Sequence, residues 1–279
     1  MKKVLTSMNT KMTKWLVASG DSWTAGTSIK DKNGKAVFWV GGEQDLSKYV
    51  NRKFPLWSEV LAKKLGMHCL NVGRGGAGNE FIYNRMIDTL VAKKNIGLAV
   101  SFWSHFDRWD FIKHSFRINP DDDNPFSSST PKYLKIKRQE VLDVIYKHDM
   151  ADGMWNFKKS LRWMLAFQNH CESFKIPYIQ AETCYPTQDR YFYRNTDLAL
   201  AVEQKKYPRL LIENPIYDYI KEENFIGWPI FYELGGFTIG DKISLALRVD
   251  PPIDNHPNEE GHKLIAEIFY EHYKVLYEK

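Results

Sequence analysis

The residues best suited to nucleophilic chemistry lie at opposite ends of this chain. Ser22 falls in Gly20-Asp21-Ser22 near the start, while Asp254 and His256 fall in Asp254-Asn255-His256-Pro257-Asn258 near the end. A serine hydroxyl is a poor nucleophile until a base takes its proton. An imidazole can serve, and a carboxylate beside it sets the tautomer and stabilises the imidazolium that forms. Serine early, with acid and base late, is therefore a layout for acyl transfer if the fold joins the two ends. Asp254 is the nearest acid to His256, and Asp250 a more distant one. A blander reading makes Ser22 the cap of the segment that follows it and His256 a surface residue in a capping turn.

The elements that must position these residues are legible. The apolar run Trp15-Leu16-Val17-Ala18 predicts a first β-strand with Ser22 just beyond its C-terminal end, where open α/β sheets place their sites. Residues 26–49 read as a surface excursion with a hairpin around Asn33-Gly34. Pro55 opens a helix with Trp57, Val60, Leu61 and Leu65 on one face, and Gly66 ends it. A strand from Met67 to Val72 runs into Gly73-Arg74-Gly75-Gly76-Ala77-Gly78, and Asn79 is a natural N-cap for a helix to about Lys93. The uninterrupted apolar run Gly97 to Trp103 fits a buried parallel strand. This rhythm is a βαβ series, hence a parallel sheet with helices on both faces.

Further on, residues 107–135 read as an irregular insertion. Helices then extend to about Phe174, with Phe157, Leu161, Met164 and Leu165 sharing a face, before a strand from Pro177 to Ala181. Residues 184–249 mix Pro, Tyr, Trp and Gly without a period and are read as a large insertion over the site. The last helix starts at Glu259, capped by Asn258, with Leu264, Ile265, Ile268 and Phe269 apolar and His262 packing or supporting the site.

Length and composition bound the rest. The 279 residues suit a single α/β domain over 14–279 behind an N-terminal extension, 1–13. Hydrophobic residues at 43% and charged residues at 26% are ordinary globular usage. A net charge of +5 from dispersed lysines argues against nucleic acid as the partner. Cys69, Cys171 and Cys184 cannot all pair and show no CxxC spacing, which predicts a reducing compartment or one where disulfides are not needed. No apolar run follows Met1 and none is long enough to span a membrane, which predicts a cytoplasmic location. The glycine cluster lacks the ending of a phosphate loop, and His68, His105 and His114 lack metal-ligand spacing, so no metal or organic cofactor is expected. Trp103, Trp109, Phe111, Trp155, Trp163 and Trp228 are core by default, although some could line a sugar cleft. Arg74 and Arg108 could hold an anionic substrate group or simply be solvated.

The chain resembles the SGNH (GDSL) hydrolase family of esterases, lipases and carbohydrate deacetylases. Gly20-Asp21-Ser22 is similar to the family's first block, Asn71-Val72-Gly73-Arg74-Gly75-Gly76 to its second, and Asp254 to Asn258 with Gly261-His262 to its last. The resemblance implies a flavodoxin-like three-layer α/β/α fold with a central parallel sheet. It also implies Ser22 as nucleophile, His256 as base, Asp254 as acid, and the N–H groups of Ser22 and Gly76 in the oxyanion hole. Two features depart from the pattern. The third block ordinarily supplies an Asn to the oxyanion, whereas here Trp103-Ser104-His105-Phe106 follows the strand and His105 takes that position. The Ser104 hydroxyl and the Asn79 amide are alternative donors. Losing one donor costs about 10²–10³ in rate. The family's Asp also lies three residues before His, where Ile253 stands. The implied activity is hydrolysis of small acyl groups on a carbohydrate, without a cofactor. The rival is a non-catalytic glycan-binding or structural protein on the same scaffold, and the oligomeric state is left open.

Overall fold

The computed structural model describes residues 14–26, 29–30, 36–37, 54–106, 108–111, 114–117, 140, 143–144, 147–148, 153–184, 206–250 and 254–278. The first strand, β1 (Trp15–Gly20), is buried from Leu16 onward and ends in the short helix α1 (Ser22–Ala25). Two-residue strands β2 (Ile29–Lys30) and β3 (Ala36–Val37) pair antiparallel. That is the expected hairpin, though its Asn33-Gly34 turn lies outside the described residues. Helix α2 (Trp57–Lys64), strand β4 (His68–Asn71), helix α3 (Asn79–Ala92) and strand β5 (Ile96–Trp103) follow as the hydrophobic pattern predicts.

Strands β6 (Arg108–Phe111) and β7 (His114–Arg117) form a second antiparallel hairpin within the stretch read as irregular. Local residue types hide it, because its stability comes from contacts with the glycine loop described below. Helix α4 (Gly153–Ser173) leads to β8 (Tyr178–Glu182), whose five residues are all buried.

In the stretch read as an insertion, residues 206–249 also contribute to the sheet and the core. Within it, β9 (Phe225–Ile226) pairs parallel with β8 and closes the sheet. Phe225, Trp228, Ile230 and Phe231 join the main core. A strand of two residues leaves no periodicity to read. Strands β10 (Arg248–Asp250) and β11 (Asp254–Pro257) pair antiparallel, and α5 (Glu259–Tyr277) ends the described chain.

The main sheet runs β4-β1-β5-β8-β9, with every neighbouring pair parallel. Counted along the chain, that is the order 2-1-3-4-5 of doubly wound, flavodoxin-like sheets. Successive strand residues face opposite sides. Val17, Ala99 and Trp103 pack on α3 and α4 through Ile82, Met86, Leu161 and Phe167. Leu16, Leu98, Val100 and Phe102 pack on α2 and α5 through Trp57, Leu61, Ile265 and Phe269. The fold is thus a three-layer α/β/α sandwich around a parallel sheet. Among the described residues no helix is long and apolar enough to cross a membrane.

Candidate active site

In a doubly wound sheet, ligands bind outside the carboxyl ends of the strands, where the strand order reverses. Here that point lies between β1 and β5, which leave the sheet side by side with Gly20 level with Phe102. Gly20 is required by close packing. A Cβ there would collide with the Thr24 side chain and come within 2.9 Å of the Phe102 carbonyl oxygen.

The next residue, Asp21, caps α1. Its Oδ1 accepts from the Trp23 N–H at 2.9 Å. Asp21 therefore does the capping that the blander reading gave to Ser22, and Ser22 is the first residue of the helix. His256 reaches it from β11, with Nε2 2.8 Å from Ser22 Oγ. When Nε2 carries no proton, the hydroxyl donates to it along the path of proton transfer. Ser22 is 8% exposed, shielded but not sealed. Asn258 caps α5 as expected, its Oδ1 accepting from the Gly261 N–H at 3.0 Å. This anchors the turn just after His256.

The two candidate acids are placed only by their backbones. Asp254 lies in β11 two residues before His256, and Asp250 pairs across from it in β10. Their side chains lie outside the described residues.

Gly76 belongs to the loop between β4 and α3, in the left-handed region at φ 73° that glycine adopts without strain. That loop starts level with the turn after β1, because the Arg74 N–H donates to the Gly20 carbonyl at 3.0 Å. Asn71 holds its base, donating through Nδ2 to the Thr24 carbonyl at 2.6 Å and accepting from the Gly73 N–H at 3.0 Å.

The candidate substitutes for the missing Asn are engaged elsewhere. Asn79 is not the cap of α3, a position held by Gly78. Its Nδ2 donates to the Ser104 carbonyl at 2.8 Å and to Ser160 Oγ at 3.1 Å, while its Oδ1 accepts from the Ser104 N–H. The Ser104 hydroxyl donates to Asp21 Oδ2 at 2.9 Å. His105 is buried at the end of β5 with Nε2 2.9 Å from Cys184 Sγ. Burial, with Asp21 nearby, pushes the Cys184 thiol up to about 12. It stays protonated and can hydrogen-bond the ring, rather than attack substrate.

Each of the two arginines pairs with a carboxylate of the chain. Arg108 Nη1 donates to Asp21 Oδ2 at 2.8 Å and to the Ala77 carbonyl at 3.0 Å. Arg74 Nη2 lies 3.4 Å from Asp110 Oδ1, and its guanidinium sits over the Phe81 ring at 3.5 Å. Asp110 also accepts from the N–H groups of Gly78 at 3.0 Å and Phe81 at 2.9 Å, so a residue of β6 caps α3.

Glu182, unnoticed in the sequence, closes β8 at 1% exposure. Its Oε1 has no hydrogen-bond partner among the described residues. Burial first, then the charge of Asp21, raise its carboxyl well above the usual range. A charged residue ending an otherwise buried strand was the one available signal. His262 packs the helix side, its Nδ1 accepting from the Trp57 N–H at 3.3 Å. Trp103 and Trp228 are buried, Trp155 is exposed, and the Trp109 and Phe111 side chains lie outside the described residues.

Sheet order places the turn after β1 and the Ser22–His256 contact together at the reversal point of a doubly wound three-layer α/β/α fold. No protein-family model and no curated protein sequence matches it. Solved structures of similar fold include three at low identity. An α/β hydrolase enzyme from the metagenome of Lake Arreo, Spain, is 17% identical, covering 94% of this chain and 96% of that one at a TM-score of 0.44. A carbohydrate acetylesterase from Sinorhizobium meliloti is 12% identical, covering 95% and 100% at 0.40. A member of the lipolytic protein G-D-S-L family from Veillonella parvula DSM 2008 is 13% identical, covering 95% and 99% at 0.37.

Proposed function

We propose that this protein is a serine ester hydrolase acting through an acyl-enzyme on Ser22. The observation that carries the reading is the 2.8 Å approach of His256 Nε2 to Ser22 Oγ at the point where the strand order reverses. Ser22 Oγ attacks the ester carbonyl carbon while its proton passes to His256 Nε2. The carbonyl π electrons move onto oxygen, and the N–H groups of Ser22 and Gly76 stabilise that oxyanion. Collapse re-forms the carbonyl and expels the alcohol, which takes the proton from His256. Water then repeats the sequence on the acyl-serine, with His256 as base, releasing the acid and restoring the hydroxyl. Asp254 orients His256 and supports its positive charge. The preferred substrate class is a carbohydrate bearing small acyl groups, because an aromatic-rich chain suits stacking on sugar rings better than holding a long acyl tail.

Intact mass after exposure to a fluorophosphonate tests the reading, since the probe adds to a serine activated by a working base. The expected result is one adduct on the unsubstituted protein and none on Ser22→Ala or His256→Ala. A folded protein that takes no adduct would sink the hydrolase and favour a binding protein on this scaffold.

A further inference from the structure

We infer that Arg108 is a positioning residue that sets the distance between the two backbone halves of the oxyanion hole, an inference that rests on the hydrolase reading above. The two proposed donors come from different βα units. The Ser22 N–H lies in the turn after β1, and the Gly76 N–H in the loop after β4. Backbone bonds join the units as far as Arg74, whose N–H reaches Gly20, and the Ala77 N–H turns back to the Arg74 carbonyl. Beyond Arg74, a side chain from a third unit makes the connection. One guanidinium nitrogen, Nη1 of Arg108, donates both to Asp21 Oδ2 at 2.8 Å and to the Ala77 carbonyl at 3.0 Å. Those two acceptors directly neighbour the two donor residues in sequence.

The acceptors are themselves held. Asp21 is 1% exposed and also receives the Trp23 N–H and the Ser104 hydroxyl. Two residues along β6, Asp110 receives the Gly78 and Phe81 N–H groups and pairs with Arg74. The first strand of the hairpin therefore clamps the glycine loop at Ala77 and Gly78 together. An oxyanion hole works when its donors already stand where the charge will develop. Arg108 meets this need without touching substrate, so its loss should act on the chemical step rather than on substrate binding.

The test is steady-state hydrolysis of a short-chain aryl ester by Arg108→Lys and Arg108→Ala, with fluorophosphonate acylation rates and folded fraction measured alongside. Arg108→Lys keeps the charge beside Asp21 but gives up the planar fork. A donor displaced by an ångström can cost about 10²-fold. Arg108→Ala should therefore lose roughly that factor in kcat with KM nearly unchanged, and Arg108→Lys should lose less. Millimolar guanidinium ions should restore part of the Arg108→Ala rate, and ammonium ions should not.

A folded Arg108→Ala enzyme with parental kcat, or a loss carried by KM, overturns the inference. Activity that falls only in step with the folded fraction overturns it as well, since Arg108 would then serve stability alone. If the unsubstituted protein takes no fluorophosphonate, the hydrolase reading fails first and this inference falls with it. If the parent labels while both variants label at the parental rate, only the inference is lost.

Discussion

At the residue scale, the polar groups around Ser22 form a buried network in which each partner limits what the next can do. Asp21 is fully committed to Trp23, Ser104 and Arg108. Glu182 lies near enough for the Asp21 charge to act on it, without a hydrogen bond of its own at Oε1. Burial first, and then that charge, raise its carboxyl well above the usual carboxylate range. The sign for stability follows from proton counting. Between the unfolded value near 4.5 and the raised folded value, the folded state binds more protons. Stability therefore falls as pH rises through that window. Glu182→Gln, which cannot ionise, should raise Tm at pH 8, with the gain shrinking toward zero as the pH is lowered to about 4.5. Melting curves of both proteins across that range would check it, and a pH-independent difference would refute it.

At the scale of elements, α3 shows how a helix can be capped from outside its own sequence. Gly78 precedes it without a capping side chain, and Asn79 is drawn away to the end of β5. Asp110 of β6 supplies the acceptor and compensates Arg74. Removing it costs a cap, about 0.5–2 kcal/mol. It also leaves a buried guanidinium without its partner, a loss that breaking a buried pair places at about 3–5 kcal/mol. Asp110→Ala should therefore destabilise the protein by several kcal/mol in urea unfolding, far more than the cap alone. A midpoint shift matching a cap alone would mean that Arg74 finds other compensation. Because the same carboxylate holds Gly78, the variant should also acylate more slowly with fluorophosphonate under conditions where it remains folded.

For the molecule as a whole, the site depends on two cores that clamp the sheet from opposite faces. On one of them Trp57 stacks on Phe269 at 4.8 Å, and both meet the Phe102 ring edge-on at 5.6 Å. This cluster fixes α5, and through Asn258 the strand that carries His256, against β5. Phe269→Ala should cost about 3–5 kcal/mol, measurable by urea unfolding, and loosen the Ser22–His256 approach before the sheet itself is lost. The residue pattern alone determined the alternation of strands and helices, the buried character of β5 and the capping of α5. Those features rest on periodicity and turn chemistry within a few neighbouring residues. Only the tertiary structure decided that residues 225–226 complete the sheet, that Arg108 joins Asp21 to Ala77, that Asp110 caps a helix lying before it in the chain, and that His105 meets Cys184. Each of these contacts joins segments from separate βα units. Such partners meet only once strand order and register are set, and no local pattern of residue types encodes that.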